Sequence, residues 1–169
     1  MKIKNFIKNF LIVLAVVLLA IQFIHPEKNT SGINAQSIEK KFPVNAEISA
    51  VLKTACNDCH SNTTVYPWYS KIQPVAWYLS DHVNDGKKHL NFDEFLSYPL
   101  YRQYHKLEEI DEMIVEDEMP MTSYTLIHRN AKLTEDQKQM LIQWSKNLRD
   151  SMEQWYPADS LISPKKRKS

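Results

Sequence analysis

Both cysteines of the chain lie in one five-residue run, Cys56-Asn57-Asp58-Cys59-His60. C-x-x-C-H is the attachment spacing of c-type haem. Two thiols about one helical turn apart reach the two vinyl groups of a single porphyrin and form two thioethers. The following residue, His60, then projects toward the iron as the proximal ligand. Other chemistries fit the run less well. A thioredoxin-like redox pair expects a βαβ neighbourhood, which the sequence lacks. A zinc site would have to recruit His82 and His89, whose separation exceeds the usual three to five residues between paired ligands. A plain Cys56–Cys59 disulfide leaves His60 unexplained. The expectation is one haem c, covalently attached through Cys56 and Cys59 and ligated by His60.

A distal ligand is sought in Glu118-Met119-Pro120-Met121, about sixty residues after the motif. Pro120 disfavours the α region for the residue before it, so Met119 should sit in extended backbone with its thioether free to face iron. A histidine–methionine pair gives a low-spin iron of raised potential. Met119 is the expected distal ligand. Met121, expected to face away from it, is the second candidate, and His82 the third, a bis-histidine alternative. Either methionine could instead only pack against the ring or aromatic side chains. Trp68, Trp77, Tyr66 and Tyr69 read as core or pocket walls, Arg102 and Lys71 as candidates for propionate pairing, and His82 and His128 as residues that bond propionates, cap helices or make structural hydrogen bonds.

Positioning these groups falls to helices. The chain has 169 residues, 43% apolar and 24% charged, with a formal net charge of +1. That fits one globular domain and gives no basic field for nucleic acid. Two Gly against eight Pro disfavour a hairpin-rich β fold and leave no Gly-rich phosphate loop to be written. Ile48, Val51, Leu52, Ala55, Cys56 and Cys59 share one helical face, which should carry the motif on a continuous helix. A further helix is expected from Val75 to about Asp85, after a loop-like stretch from Ser61 to Pro74. Asn91 and Glu94 read as N-cap and N3 of the next, broken near Pro99, with Leu100, Tyr104, Leu107, Ile110 and Ile114 as a stripe beyond it. Thr134 and Gln137 form a capping-box pair ahead of Met140, Leu141, Trp144 and Leu148. The fold class is all-α: an irregular, cytochrome c-like helical domain.

Lys2, Lys4 and Lys8 precede an apolar run from Phe10 to Ile24, interrupted only by Gln22. Lysines held inside and an apolar segment behind them make an export signal, and the poor small-x-small site near Ala20 favours an uncleaved anchor. The expected organisation is an anchor over 1–24, a linker over 25–41, the haem domain over 42–157 and a basic disordered tail over 158–169. The chain is then placed in a bacterial inner membrane, single-pass, with its domain facing the periplasm and a redox protein as its partner. Asn62-Thr63-Thr64 also matches a glycosylation triplet.

The succession of C-x-x-C-H, Y-P-W-Y from Tyr66, P-V-A-W from Pro74 and H-V-N-D-G-K-K-H-L-N-F from His82 resembles the small haem-binding domain family of bacterial exported proteins. M-P-M-T-S-Y-T-L-I-H-R-N-A-K-L-T from Met119, leading into the helix with Trp144, resembles the second half of the same family. The resemblance covers about Phe42 to Leu148. It implies a domain similar to monohaem cytochromes c, haem held by Cys56, Cys59 and His60, and Met119 as their partner. It implies no reaction. One departure from a typical cytochrome c is the near absence of glycine around the methionine loop. Single-electron transfer is the expected role rather than enzymatic catalysis, and a haem-based sensor of a small ligand, with a displaceable sixth position, is the alternative.

Overall fold

The computed structural model describes residues 2–164; Lys165–Ser169, the basic end of the expected tail, lie outside them. The fold is all-helical, with no strand among the described residues. Helix α1 (Lys2–Ile21) takes in Phe6 and Ile7 as well as the apolar run as far as Ile21. Its Ile3–Ile21 stretch has a mean hydropathy of 2.0 and no part buried. Nineteen residues at 1.5 Å each span about 28 Å, close to the hydrocarbon thickness of a bilayer. The helix is long and apolar enough to cross a membrane.

The domain behind it comprises α2 (Ala46–Ala55), α3 (Asn57–His60), α4 (Val75–His89), α5 (Leu100–Val115), α6 (Thr122–Thr125), α7 (Glu135–Trp155) and α8 (Ala158–Leu161). Helix α5 packs along α7. Leu107 and Ile114 from one helix meet Leu141, Trp144, Leu148 and Met152 from the other in the core, joined by Ile48, Val51 and Leu52 of α2. Both stripes are the ones read from the 3.6-residue period. The capping box also forms: Gln137 N–H donates to Thr134 Oγ1 at 3.2 Å, and Thr134 N–H donates to Gln137 Oε1 at 3.0 Å. Thr134→Ala should therefore cost about 1 kcal/mol, read as a lowered denaturant midpoint at unchanged slope.

Several expectations are corrected. The motif does not ride on one continuous helix: Cys56, at φ −123°, ψ −44°, ends α2, and α3 begins afresh. Periodicity carried through this break because the apolar face runs on across it. Asn91 does act as a cap, but on the 3₁₀ turn Phe92–Ser97, and it accepts from Asp93 N–H rather than pairing with Glu94. The run does break at Pro99 as expected: the 3₁₀ turn ends at Ser97, and Pro99, with no N–H to contribute, is the N-cap from which α5 starts. Helix α4 runs four residues past Asp85, to His89.

The stretch 25–41 is not a free linker. Ser37 and Ile38 are buried, and Asn29 is bonded on every side. Its N–H donates to Tyr66 Oη, its Nδ2 to the Ser61 carbonyl and Thr64 Oγ1, and its Oδ1 accepts from Lys87 Nζ. Gly32 turns this strap at φ +80°, a backbone state costly for other residues. Polar side chains with distant partners leave no local period, so the strap read as a loop. The start of the expected disordered tail is likewise folded: α8 packs on α5, with Leu161 against the core. Asn62 is buried and bonded to Asp93, Glu94 and Asn91, so its glycosylation triplet is out of reach in the folded chain.

Candidate functional site

Helix α4 lies against α3 through Gly86. A Cβ on this residue would stand 2.7 Å from the Cys59 carbonyl oxygen and 3.0 Å from Cys59 Cβ. Only a hydrogen fits there, and the motif is cradled by helical backbone at that point. Asp58, one of the two residues between the cysteines, holds the other side. Its Oδ1 accepts from Val65 N–H at 2.9 Å, its carbonyl from Thr64 Oγ1 at 2.6 Å, and its Oδ2 from the Tyr124 hydroxyl at 2.7 Å.

His60 is oriented by Leu90, whose carbonyl lies 3.0 Å from Nδ1. A carbonyl only accepts, so Nδ1 carries the proton and Nε2 of the neutral ring keeps its lone pair. This is the arrangement that prepares an imidazole to ligate a metal. Burial lowers the affinity of the ring for a second proton, which keeps it neutral. The Phe92 ring meets it edge-on, with centroids 6.5 Å apart.

The two thiols are pushed the opposite way from reactive redox cysteines. Burial, with the neighbouring Cys59, raises Cys56 to about 12; burial, with Asp58 beside it, raises Cys59 to about 11. A nucleophilic C-x-x-C needs a lowered value. Among the described residues no three His, Cys, Asp or Glu side chains converge to hold a metal ion, so His82 and His89 do not complete a zinc site with the cysteines.

Cys56, Cys59, His60, Met119, Met121 and His82 all line one cavity of about 900 Å³. That is at the upper end of small-molecule and cofactor pockets. Its walls are Leu52 and Ala55 of α2, Leu90, Phe92, Ile110, Met113 and Ile114 around α5, and Leu141 of α7. An apolar cavity with two thiols and a pre-oriented imidazole on its wall fits a covalently held macrocycle whose metal takes nitrogen and sulfur ligands.

How the chain delivers Met119 without glycine is also visible. Helix α5 ends in a Schellman motif: Glu118 N–H donates to the Met113 carbonyl at 3.0 Å and Asp117 N–H to that of Ile114 at 3.3 Å. Asp117 takes the left-handed position, φ 57°, that glycine usually fills. Lys138 of α7 holds its carboxylate at 2.6 Å. Met119 N–H donates to the same Met113 carbonyl at 3.1 Å, which fixes the methionine's backbone to the last turn of α5. Met119 is 36% exposed, at the rim.

Some expected site residues lie elsewhere. Met121 does not face away from Met119: the chain bends at Met119 and Pro120 instead of running extended, and both side chains line the cavity. None of Trp68, Trp77, Tyr66 and Tyr69 lines it: Tyr66 bonds Asn29 of the strap, Tyr69 bonds His128, Trp68 is exposed, and Trp77 is on α4 but off the cavity. Arg102 donates to the Lys88 carbonyl at 3.1 Å and lies over the Tyr98 ring, and Lys71 is exposed; the lysines on the cavity are Lys88 and Lys106. His128 is bonded to Tyr69 Oη at 2.6 Å and stacked on Tyr124. Tyr124 and Gly86, both on the cavity, carried no motif signal, although a helical glycine in a chain with two was a hint of close approach.

Comparison with known proteins gives one match. The model of a family described as a haem-binding domain fits residues 16–147, from inside α1 through the strap to α7. No curated protein and no solved structure matches the chain.

Proposed function

Because the chain belongs to the haem-binding domain family, we propose that it is a membrane-anchored monohaem c-type cytochrome that passes single electrons to a partner protein. The observation that carries this reading is the single cavity onto which Cys56, Cys59, His60 and Met119 all open. When bound, haem supplies one-electron chemistry at its iron, at a potential that a histidine–methionine pair raises. The residues of the chain do the rest. Cys56 and Cys59 provide two thiols for attachment, and the Leu90 carbonyl keeps His60 in the tautomer whose Nε2 ligates. Leu52, Ile114 and Leu141 keep water from the face they cover. Lys2, Lys4 and Lys8 in the first turns of α1 favour a cytoplasmic amino terminus, which supports a domain on the periplasmic side of an inner membrane.

Acid–acetone extraction of protein matured with haem tests the attachment. The colour should stay with the protein, and Cys56→Ser or Cys59→Ser should weaken its retention. Colour that passes wholly into the acetone from the intact chain would overturn the proposal.

A second reading, a haem-based sensor of a small ligand, draws on the position of Met119 at the rim, where a 36% exposed side chain can be displaced. The two readings part on whether the sixth position is closed in the resting protein.

A further inference from the structure

Gln22 is the one polar residue in the apolar run of the anchor, and its partner is in the domain. Its Oε1 accepts from Gln73 N–H at 3.0 Å, and its Nε2 donates to the Gln73 carbonyl at 3.2 Å and to the Leu18 carbonyl at 2.8 Å. Gln73 answers with its own side chain: Nε2 donates to the Ile24 carbonyl at 2.6 Å, and Oε1 accepts from Trp77 N–H at 3.3 Å. Gln73 is 3% exposed. The chain between the two ends is a run of tight turns, with Gln22, Phe23 and Ile24 N–H groups bonded to carbonyls three residues back. The end of α1 is thus clasped to the domain at a fixed point.

Large apolar side chains flank that point and are left bare. Ile72 and Val75, on either side of the Gln73–Pro74 pair, are 44% and 38% exposed. Trp68, one turn earlier, is 76% exposed, and Tyr78, one turn later on α4, is 50% exposed. Phe23 and Ile24, at the helix end itself, are 87% and 59% exposed. Residues 61–80 contain no Asp or Glu, although the chain has 20, and their one charge is Lys71. Tryptophan, tyrosine and lysine beside an apolar surface are the residues that settle at the boundary between headgroups and acyl chains.

We propose that the face carried by Trp68, Ile72, Val75 and Tyr78 lies in the membrane interface beside the end of α1, with the Gln22–Gln73 clasp holding the domain flat on anionic phospholipid. The occupant is lipid because the face continues the end of the membrane helix and carries no acidic group to repel headgroup phosphates. The inference rests on α1 being a membrane anchor.

Hydroxyl-radical footprinting of the full haem-loaded chain in vesicles of phosphatidylcholine and phosphatidylglycerol tests it, with Trp155 as internal reference. In water Trp68, at 76% exposure, should label more than Trp155, at 51%. In vesicles it should label about five-fold less than Trp155, because its indole leaves water for the interface. Gln22→Ala, with an unchanged haem spectrum, should raise Trp68 labelling about two-fold as the clasp loosens. Protein that floats with the vesicles but labels Trp68 more than Trp155 overturns the docking and leaves the anchor standing. Protein that does not float overturns both. Protection that grows with the protein-to-lipid ratio assigns the face to a second copy, and protection found only in native membranes assigns it to another protein; either outcome overturns lipid as the occupant.

Discussion

Met119→Ala together with Met121→Ala is expected to abolish the weak red-edge sulfur-to-iron absorption of the oxidised protein and to let carbon monoxide bind the reduced form quickly. The potential should fall by a sizeable part of the roughly 0.8 V range that axial ligation commands. Both substitutions are needed because both thioethers line the cavity. Met119 has the better claim: its N–H is tied to the Met113 carbonyl, so its backbone is already placed, whereas Met121 begins the turn into α6. Met119→Ala alone should therefore remove most of the band, and Met121→Ala alone should leave it. A band that survives the double substitution sinks methionine ligation. Rapid carbon monoxide binding by the unaltered protein, with no band, would move the balance to the sensor. His82→Ala should change neither signal; its ring, tilted on Tyr78 with Nδ1 bonded to the Tyr78 carbonyl at 2.8 Å, is held by its own helix.

Gly86→Ala should be the most damaging single-methyl change in the domain. On propensity alone the substitution would stabilise α4 by about 1 kcal/mol. The added carbon, however, would stand 2.7 Å from the Cys59 carbonyl oxygen, a backbone atom that cannot swing aside. Overpacking of this kind costs typically 1–3 kcal/mol, and contact with backbone puts the case near the upper figure. The net loss is then about 2 kcal/mol, measurable as a lowered denaturant midpoint. Relief requires α3 to move off α4, which carries Cys59 and His60 away from Cys56. Mature protein should accordingly retain a smaller fraction of haem through acid–acetone extraction than the unaltered chain. Equal stability and equal retention would show that α3 is not pinned where the structure has it.

The sequence made some of this legible because certain physical rules are local. Thr134 and Gln137 lie three residues apart and cap the same turn, so the pattern and the bond are the same fact. Leu107, Ile114, Leu141 and Leu148 recur at the helical period because each helix has one face to bury. Cys56, Asp58, Cys59 and His60 line one cavity for the same reason: neighbours in the chain travel together. What escaped was set by long-range partners. Asn29 reads as a loop residue until Tyr66, Ser61, Thr64 and Lys87 are brought to it. Trp68 reads as a pocket wall by proximity to the motif in sequence, yet it faces outward. Asp117 replaces the missing glycine because Lys138, on another helix, holds its side chain.

The docked strap has a consequence for encounter kinetics. Were residues 25–41 a flexible coil, the domain would swing on a tether with a root-mean-square reach of about 20 Å, sampling a dome of solution above its anchor. Clamped through Asn29, Ser37 and Ile38, it has no such dome. On the membrane anchor and redox partner we propose, its search would be lateral diffusion of the whole molecule in two dimensions, and the rate of meeting would follow the surface density of that partner rather than its bulk concentration. A partner fixed in the same membrane at the matching height gains from this arrangement, and a freely dissolved one gains nothing.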